Sequence, residues 1–212
     1  MIPAAQSLAA RRIAALAPII PVLVVNDAAD AKPLAEALIK GGLPALEVTL
    51  RTPAALEVIA EMAQVAGGVV GAGTLLTPKD VENAKAAGAM FGVSPGVTQR
   101  LIDACSANEL PLLPGAATAT EVMALFEQGF DMLKFFPAEA SGGASALKAI
   151  GAPIPQVSFC PTGGVTPENA TVYLNLPNVI CAGGSWVAPT SAIIAGDWGE
   201  ITRLAADAAA LR

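Results

Sequence analysis

Eight short apolar stretches alternate with helical ones, polar or glycine-rich residues follow nearly every stretch, and the apolar stretches lack an in/out polar alternation. These observations predict an α/β protein: a single (β/α)8 TIM barrel with a short N-terminal helix, spanning residues 1–212 as one domain. Strands without polar alternation are buried on both faces, as in a parallel sheet covered by helices. An open doubly wound sheet would alternate too, but eight units favour the closed form. The regular spacing could also suit a solenoid, yet no consensus repeat is visible.

Ala5–Leu16 is expected as an amphipathic helix with Leu8, Ile13 and Leu16 on its apolar side. Ile19–Val25 is β-branched and forms the first strand. Asp27 or Asp30 can cap the next helix, which carries Leu34, Leu38 and Ile39 and ends at Gly41-Gly42. Ala45–Leu50 is the second strand, and Thr52-Pro53 opens a helix through Ala66. Val69–Ala72 is the third strand; Thr77-Pro78-Lys79-Asp80 opens a helix stopped at Gly88. Met90–Val93 is the fourth, followed by Ser94-Pro95-Gly96 and a helix from about Thr98 to Ala107. Leu110–Leu113 is the fifth, followed by Pro114-Gly115 and a helix from about Thr120 to Gln128. Met132–Phe136 is the sixth, and Ala144–Ile150 a short helix. Gln156–Cys160 is the seventh, with Thr166-Pro167 opening a helix to about Leu174. Asn178–Ala182 is the eighth strand, and Glu200–Leu211 the last helix.

Composition narrows the function. The chain is 54% hydrophobic but only 4% aromatic, so its core is built of Ala, Val, Leu and Ile, packed tightly. A net charge of −6 without any Lys/Arg run argues against nucleic acid or an anionic membrane as a partner. Cys105, Cys160 and Cys181 show no CxxC spacing and fit reduced thiols in the cytoplasm. Histidine is absent, which removes the commonest general base and most zinc-site designs, so no metal is expected. Arg11-Arg12 before the apolar run Ile13–Val25 resembles an export signal, but Pro18 and Pro21 interrupt it and Ile19–Val25 is needed as a strand. The uncharged stretch Asn169–Gly196 is broken by Pro177 and Pro189 and reads as strand and loop, not a spanning helix.

The chemistry centres on Lys134, set in Asp131-Met132-Leu133-Lys134-Phe135-Phe136-Pro137. A lysine buried in an apolar strand must find a carboxylate or lose its proton. As a neutral amine it attacks carbonyl carbon. A free lysine is neutral at pH 7 to under about 0.1%. Apolar walls or a nearby cation such as Arg51 raise that fraction, and Glu47 lowers it, so the sequence does not fix the net sign. Period two puts Met132, Lys134 and Phe136 on one face and Leu133 and Phe135 on the other. The same period groups Glu47, Thr49 and Arg51, three polar residues on an apolar strand. A structural ion pair of Glu47 with Arg51 or Lys134 is the plainer alternative.

The strand ends complete the set. Gly71-Ala72-Gly73-Thr74 lets a ligand approach backbone and offers a hydroxyl, though a tight turn would look the same. Ser94-Pro95-Gly96 and Pro114-Gly115 read as turns on their own. Pro161-Thr162-Gly163-Gly164-Val165 and Ala182-Gly183-Gly184-Ser185-Trp186 end the last two strands, where such barrels commonly bind phosphate. Exposed backbone N–H groups and a helix start can hold a dianion without any lysine. Lysine, carboxylate, arginine and phosphate cradle together suit a phosphorylated ketone carrying a second anionic group. Lysine attack would give an iminium that accepts electrons from a breaking C–C bond. Glu47, directly or through water, would take the hydroxyl proton, and Arg51 can clamp a carboxylate.

Leu46-Glu47-Val48-Thr49-Leu50-Arg51-Thr52, Gly71-Ala72-Gly73-Thr74, Ser94-Pro95-Gly96, Phe135-Phe136-Pro137-Ala138-Glu139, Pro161-Thr162-Gly163-Gly164 and Gly183-Gly184-Ser185-Trp186 together resemble the 2-keto-3-deoxy-6-phosphogluconate (KDPG) aldolases. The resemblance covers nearly the whole chain. It implies a class I aldolase of the Entner–Doudoroff pathway, without cofactor, acting on a phosphorylated 2-keto acid as a homotrimer. Its products would be pyruvate and glyceraldehyde 3-phosphate. Some members also cleave 4-hydroxy-2-oxoglutarate. It further implies Lys134 as the Schiff-base lysine and Glu47 as general acid/base. Arg51 and Thr74 would hold the carboxylate end, with Pro95 and Phe136 lining the pocket and Thr162 beside the imine. Gly163, Gly164, Gly184 and Ser185 would hold the phosphate. The alternatives are a phosphogalactonate substrate, a phosphosugar isomerase or epimerase, and a phosphate-binding module without activity.

Overall fold

Neighbouring parallel strands need a crossover between them, and the chain supplies helices for that purpose. The computed structural model describes residues 1–211. Helix α1 (Pro3–Ala14) precedes β1 (Ile19–Leu23), α2 (Ala31–Lys40), β2 (Ala45–Thr49), α3 (Ala55–Met62), β3 (Val69–Gly73), α4 (Pro78–Ala86), β4 (Phe91–Val93) and α5 (Gln99–Ala107). There follow β5 (Leu112–Leu113), β6 (Gly115–Ala116), α6 (Ala119–Glu127), β7 (Met132–Phe135), α7 (Gly143–Gly151), β8 (Ser158–Pro161), α8 (Pro167–Leu174), β9 (Ala182–Gly184), α9 (Thr190–Ala195) and α10 (Trp198–Ala209).

Six strands form a curled parallel sheet in the order β5-β4-β3-β2-β1-β9, and β6-β7-β8 form a second parallel sheet. Isolated bridges Phe159↔Val179 and Thr162↔Gly183 connect the β8 region to that of β9. In the register, Glu47 lies beside Val22 and Gly71, and Lys134 beside Gly115 and Cys160.

Pro114 explains why the expected fifth strand differs from the observed one. Leu112-Leu113 pair with β4 and Gly115-Ala116 with β7. Pro114, between them, has no N–H to give the ladder, so the strand is cut there. Its carbonyl still accepts from Lys134 N at 2.9 Å. The Pro114-Gly115 step expected as a turn is therefore a strand break, and Leu110 precedes the strand. The eighth strand is also displaced: it forms at Ala182–Gly184, not Asn178–Ala182. Regular pairing there starts where β1 offers partners, Ile19 for Ala182 and Pro21 for Gly184. Gly183 and Gly184 are thus strand residues. The seventh begins two residues late, at Ser158, and Met90 lies outside β4, where it is 54% exposed.

Local chemistry sets the helix boundaries. Thr77 and Thr118 each form a reciprocal cap, with Asp80 and Glu121, so α6 starts before Thr120. Asp27 caps a 3-10 turn, Ala28–Asp30, ahead of α2. Thr52 does not cap α3: its hydroxyl donates to Val25 O at 2.7 Å, and the helix starts at Ala55 and stops at Met62, short of Ala66. Helix α9 lies within the stretch expected as strand and loop, between Pro189 and Gly196. Ile13–Val25 runs from the end of α1 into β1. Among the described residues no helix is long and apolar enough to cross a membrane.

Alternating strand residues feed two cores. Leu46, Val48, Leu133, Phe135 and Phe159 pack against helix residues such as Leu34, Leu38, Ile59, Leu147 and Ile201. Ile20, Phe91, Val93, Leu113, Met132, Cys160 and Cys181 form the second cluster with Ala10 and Ala14 of α1. Each fully buried leucine or phenylalanine contributes about 1.5–3 kcal/mol. All three cysteines are buried thiols, and burial pushes the Cys105 thiol up to about 12.

Helix α1 buries a face that shares only Ile13, packed against the second cluster, with the one expected. Gln6, Ser7, Ala10 and Ala14 are inside, while Leu8 and Leu16 are 49% and 47% exposed. It packs where β7 begins, and there strand backbone needs polar partners more than leucine. Ser7 Oγ donates to Asp131 Oδ1 at 2.6 Å and accepts from Asp131 N and Met132 N, both at 2.9 Å. Arg11 pairs with Asp131 at 3.1 Å and donates to Ser158 Oγ at 2.9 Å. Ser7→Ala leaves the buried Met132 N–H unpaired, and a loss of about 2 kcal/mol is expected in urea denaturation, with kcat unchanged.

Candidate active site

Strand β2 builds one wall of the site. Period two turns Leu46 and Val48 into the helix-facing core and leaves Glu47 and Thr49 on the opposite face. Arg51 continues that face just beyond the strand. Thr49 Oγ1 donates to Leu23 O at 2.8 Å and accepts from Arg51 Nε at 3.1 Å, which orients the guanidinium. Strand β7 builds the facing wall, with Phe135 wholly buried in the core and Lys134 and Phe136 on the open side.

Lys134 Nζ donates to Glu47 Oε1 at 3.2 Å. The two residues are 5% and 3% exposed. Neither charge could be buried alone, so each stabilises the other against desolvation. The ammonium also lies 5.2 Å from the centroid of the Phe136 ring. Gly73 is required by this arrangement, because a Cβ there would collide with the Glu47 carboxylate. Thr74 follows with φ +63°, a left-handed conformation that costs a residue with a side chain about 1–3 kcal/mol and is concentrated at functional sites.

Two adjoining hollows open here. The first, about 170 Å³, is lined by Glu47, Thr49, Arg51, Thr74, Pro95, Lys134, Phe136 and Thr162 with Val22. The second, about 180 Å³, has the shared walls Val22, Arg51, Phe136 and Thr162 and is completed by Gly163, Gly164, Val165, Gly183 and Ser185. Gly163 and Gly164 both have positive φ, +100° and +78°. Glycine adopts these angles at little cost, and no side chain then screens the backbone from a ligand.

The structure thus brings together Glu47, Arg51, Thr74, Pro95, Lys134, Phe136, Thr162, Gly163, Gly164 and Ser185 around two hollows. Gly184 ends β9, and Gly183 takes its place in the lining. Val22 was not singled out from the sequence, although it lines both hollows. Its signal was only its place two residues after Ile20 in an unbroken apolar run. Chemically, the first hollow offers an amine, a carboxylate and a hydroxyl within reach of one carbonyl group. The second offers a glycine loop, a hydroxyl and the Arg51 side of the first, which suits a small anion.

A family model described as "Aldolase: KDPG and KHG aldolase" matches residues 11–204. The chain is 53% identical over 194 residues to a 2-dehydro-3-deoxy-phosphogluconate aldolase of Pseudoalteromonas atlantica, covering 91% of this chain and 90% of that one. The crystal structure of the 2-keto-3-deoxy-6-phosphogluconate aldolase of Zymomonas mobilis with 3-phosphoglycerate matches with a TM-score of 0.90 at 51% identity, over 95% of each chain. A KDPG aldolase from Legionella pneumophila, with pyruvate captured as a covalent carbinolamine intermediate, matches with a TM-score of 0.91 at 45% identity, over 94% of this chain and 98% of that one.

Proposed function

This chain belongs to the KDPG and KHG aldolase family, and from that membership we infer that it is a class I aldolase cleaving KDPG to pyruvate and D-glyceraldehyde 3-phosphate through a Schiff base. The observation that carries the site assignment is the buried Lys134–Glu47 pair, 3.2 Å apart, at the wall of an open hollow.

In this reading Glu47 accepts a proton from Lys134, and the free amine adds to the C2 carbonyl carbon of the substrate. The carbinolamine hydroxyl takes that proton back from Glu47 and leaves as water, giving an iminium and the Glu47 carboxylate again. Glu47 takes the proton of the C4 hydroxyl, directly or through water. The C3–C4 bonding pair moves into the C2–C3 bond, and the aldehyde leaves with the phosphate. The resulting enamine is protonated at C3. Water then adds to C2, the C2–N bond breaks, and pyruvate departs from the regenerated amine. Arg51, oriented by Thr49, and Thr74 hold the carboxylate end, with Pro95 and Phe136 as apolar walls and Thr162 beside the imine. Gly163, Gly164 and Ser185 hold the phosphate, with Gly184 supporting the loop from the end of β9.

The same steps would cleave 4-hydroxy-2-oxoglutarate to pyruvate and glyoxylate, because the half of the substrate bonded to Lys134 is identical. The family description, which names both aldolases, supports this second activity. We also read the chain as one domain whose two sheets are arcs of a single barrel. The succession of β5 and β6 across the single residue Pro114, one pairing with each sheet, and the bridges from β8 to β9 support that closure. A cytoplasmic setting accords with three buried cysteines outside any disulfide, and a homotrimer with the family resemblance.

Borohydride reduction in the presence of pyruvate tests the assignment. One adduct per chain, mapped by peptide mass to Lys134, is expected. An unlabelled protein, or label on another lysine, would overturn it.

A further inference from the structure

The glycine loop after β8 does not stand by itself. Ala138 N donates to Thr162 O at 2.8 Å and Glu139 N to Gly163 O at 3.0 Å, so the segment after β7 runs alongside it. The Glu139 side chain lies against the loop: a Cβ on Gly164 would sit 2.7 Å from Glu139 Cγ. Helix α8 grips the same assembly twice. Asn169 Nδ2 donates to Gly164 O at 3.0 Å, and the Tyr173 hydroxyl donates to Glu139 Oε1. Tyr173 is 1% exposed and packed into the main core, so its hydroxyl is a fixed point, whereas the Glu139 stem would otherwise be free to turn. Burial, and after it the bond to Glu139 and its charge, raise the tyrosine pKa, which keeps the donor proton in place.

We propose that Glu139 and Tyr173 are a positioning pair for the phosphate end of the site, neither touching substrate. Tyr173 anchors the carboxylate away from the second hollow, and the anchored Glu139 side chain supports Gly164 from below. Two effects follow. The backbone N–H groups of Gly163-Gly164 are held in a fixed arrangement, so a bound anion does not have to order them. The carboxylate is also prevented from swinging toward a phosphate dianion, which it would repel. The pair therefore favours phosphorylated over unphosphorylated substrates, a role that rests on reading Gly163-Gly164 as the phosphate cradle.

Tyr173→Phe removes the hydroxyl and keeps the ring packing. The KM for KDPG is expected to rise about tenfold, the worth of a hydrogen bond to a charged group, with kcat essentially unchanged. Inhibition by inorganic phosphate should weaken in parallel. The pyruvate concentration that half-saturates borohydride trapping should not move, since pyruvate carries no phosphate. Glu139→Ala should raise the KM for KDPG by less than Tyr173→Phe, because no carboxylate is left to repel the phosphate, the double variant should match Glu139→Ala, and Glu139→Gln, which keeps an acceptor oxygen, should stay near wild type. An unchanged KM for KDPG in Tyr173→Phe, or a parallel rise for KDPG and pyruvate, would overturn the pair. Gly164→Ala separates the two readings. If it leaves the KM for KDPG unchanged, the cradle itself is misassigned; if it raises that KM while Tyr173→Phe does not, only the pair fails.

Discussion

Lys134→Ala is expected to lower kcat for KDPG cleavage by roughly 10⁵-fold, the scale seen when a covalent catalyst is removed from an otherwise intact site. No other group in the first hollow can replace it. Glu47 and Arg51 are not amines that form imines, and the hydroxyls of Thr49, Thr74 and Thr162 cannot give an electron sink. Borohydride with pyruvate should leave the variant unlabelled. The substitution also strands the Glu47 carboxylate, which is 3% exposed and loses its only ion-pair partner among the described residues. A stability loss of about 3 kcal/mol is expected in urea denaturation, at the low end for broken buried pairs because the hollow admits water. Lys134→Arg separates the two effects. The guanidinium keeps a cation beside Glu47 but is not a nucleophile, so stability should largely return while turnover does not. Lyase activity above background in either variant would exclude Lys134 as the Schiff-base residue.

Glu47→Gln is expected to lower kcat by about 10²–10⁴-fold with little change in KM, because a proton-transfer group acts mainly in the transition state. Glutamine fits the space that Gly73 leaves and can still accept a hydrogen bond from Lys134, so packing is retained. What is lost is the ability to carry a proton between Nζ, the C4 hydroxyl and C3. Exchange of the pyruvate methyl protons with solvent deuterium isolates the last step, since it requires enamine formation and reprotonation without any C–C cleavage. The exchange, followed by NMR, should slow in proportion to kcat. Exchange at the wild-type rate would remove Glu47 from the proton-transfer path.

How legible each part was depended on whether the physical signal was local. Lys134 stood out because Leu133 and Phe135 flank it, and a charge in a buried strand must be explained. Glu47, Thr49 and Arg51 stood out because strand period puts them on one face of an apolar segment. Thr77 announced its helix because it and its reciprocal partner Asp80 lie within one turn, whereas the equivalent cap at Thr118 was passed over and its helix expected only from about Thr120. Where the deciding partner was distant, the sequence was silent or misleading. Leu8 and Leu16 looked like the buried face of α1, but the end of the sheet that α1 covers required Ser7 and Arg11. Val179–Cys181 had strand character, yet the ladder with β1 starts only at Ala182. Val22 was hidden in a uniformly apolar run, and Tyr173 meets Glu139 across 34 residues of chain.

The sequence by itself determined the alternation of strand and helix, the absence of histidine chemistry, and the demand for a partner at Lys134. The first follows from local geometry, the second from composition and the third from the cost of burying a charge, and none needs a long-range contact to be read. Tertiary structure alone decided that the partner is Glu47, 87 residues away on a strand of the other sheet. It also decided that Gly183 rather than Gly184 lines the second hollow, and that Arg51 and Phe136 border both hollows. These outcomes depend on the curl and register of parallel strands, which are set by packing between segments far apart in the chain and leave no local mark.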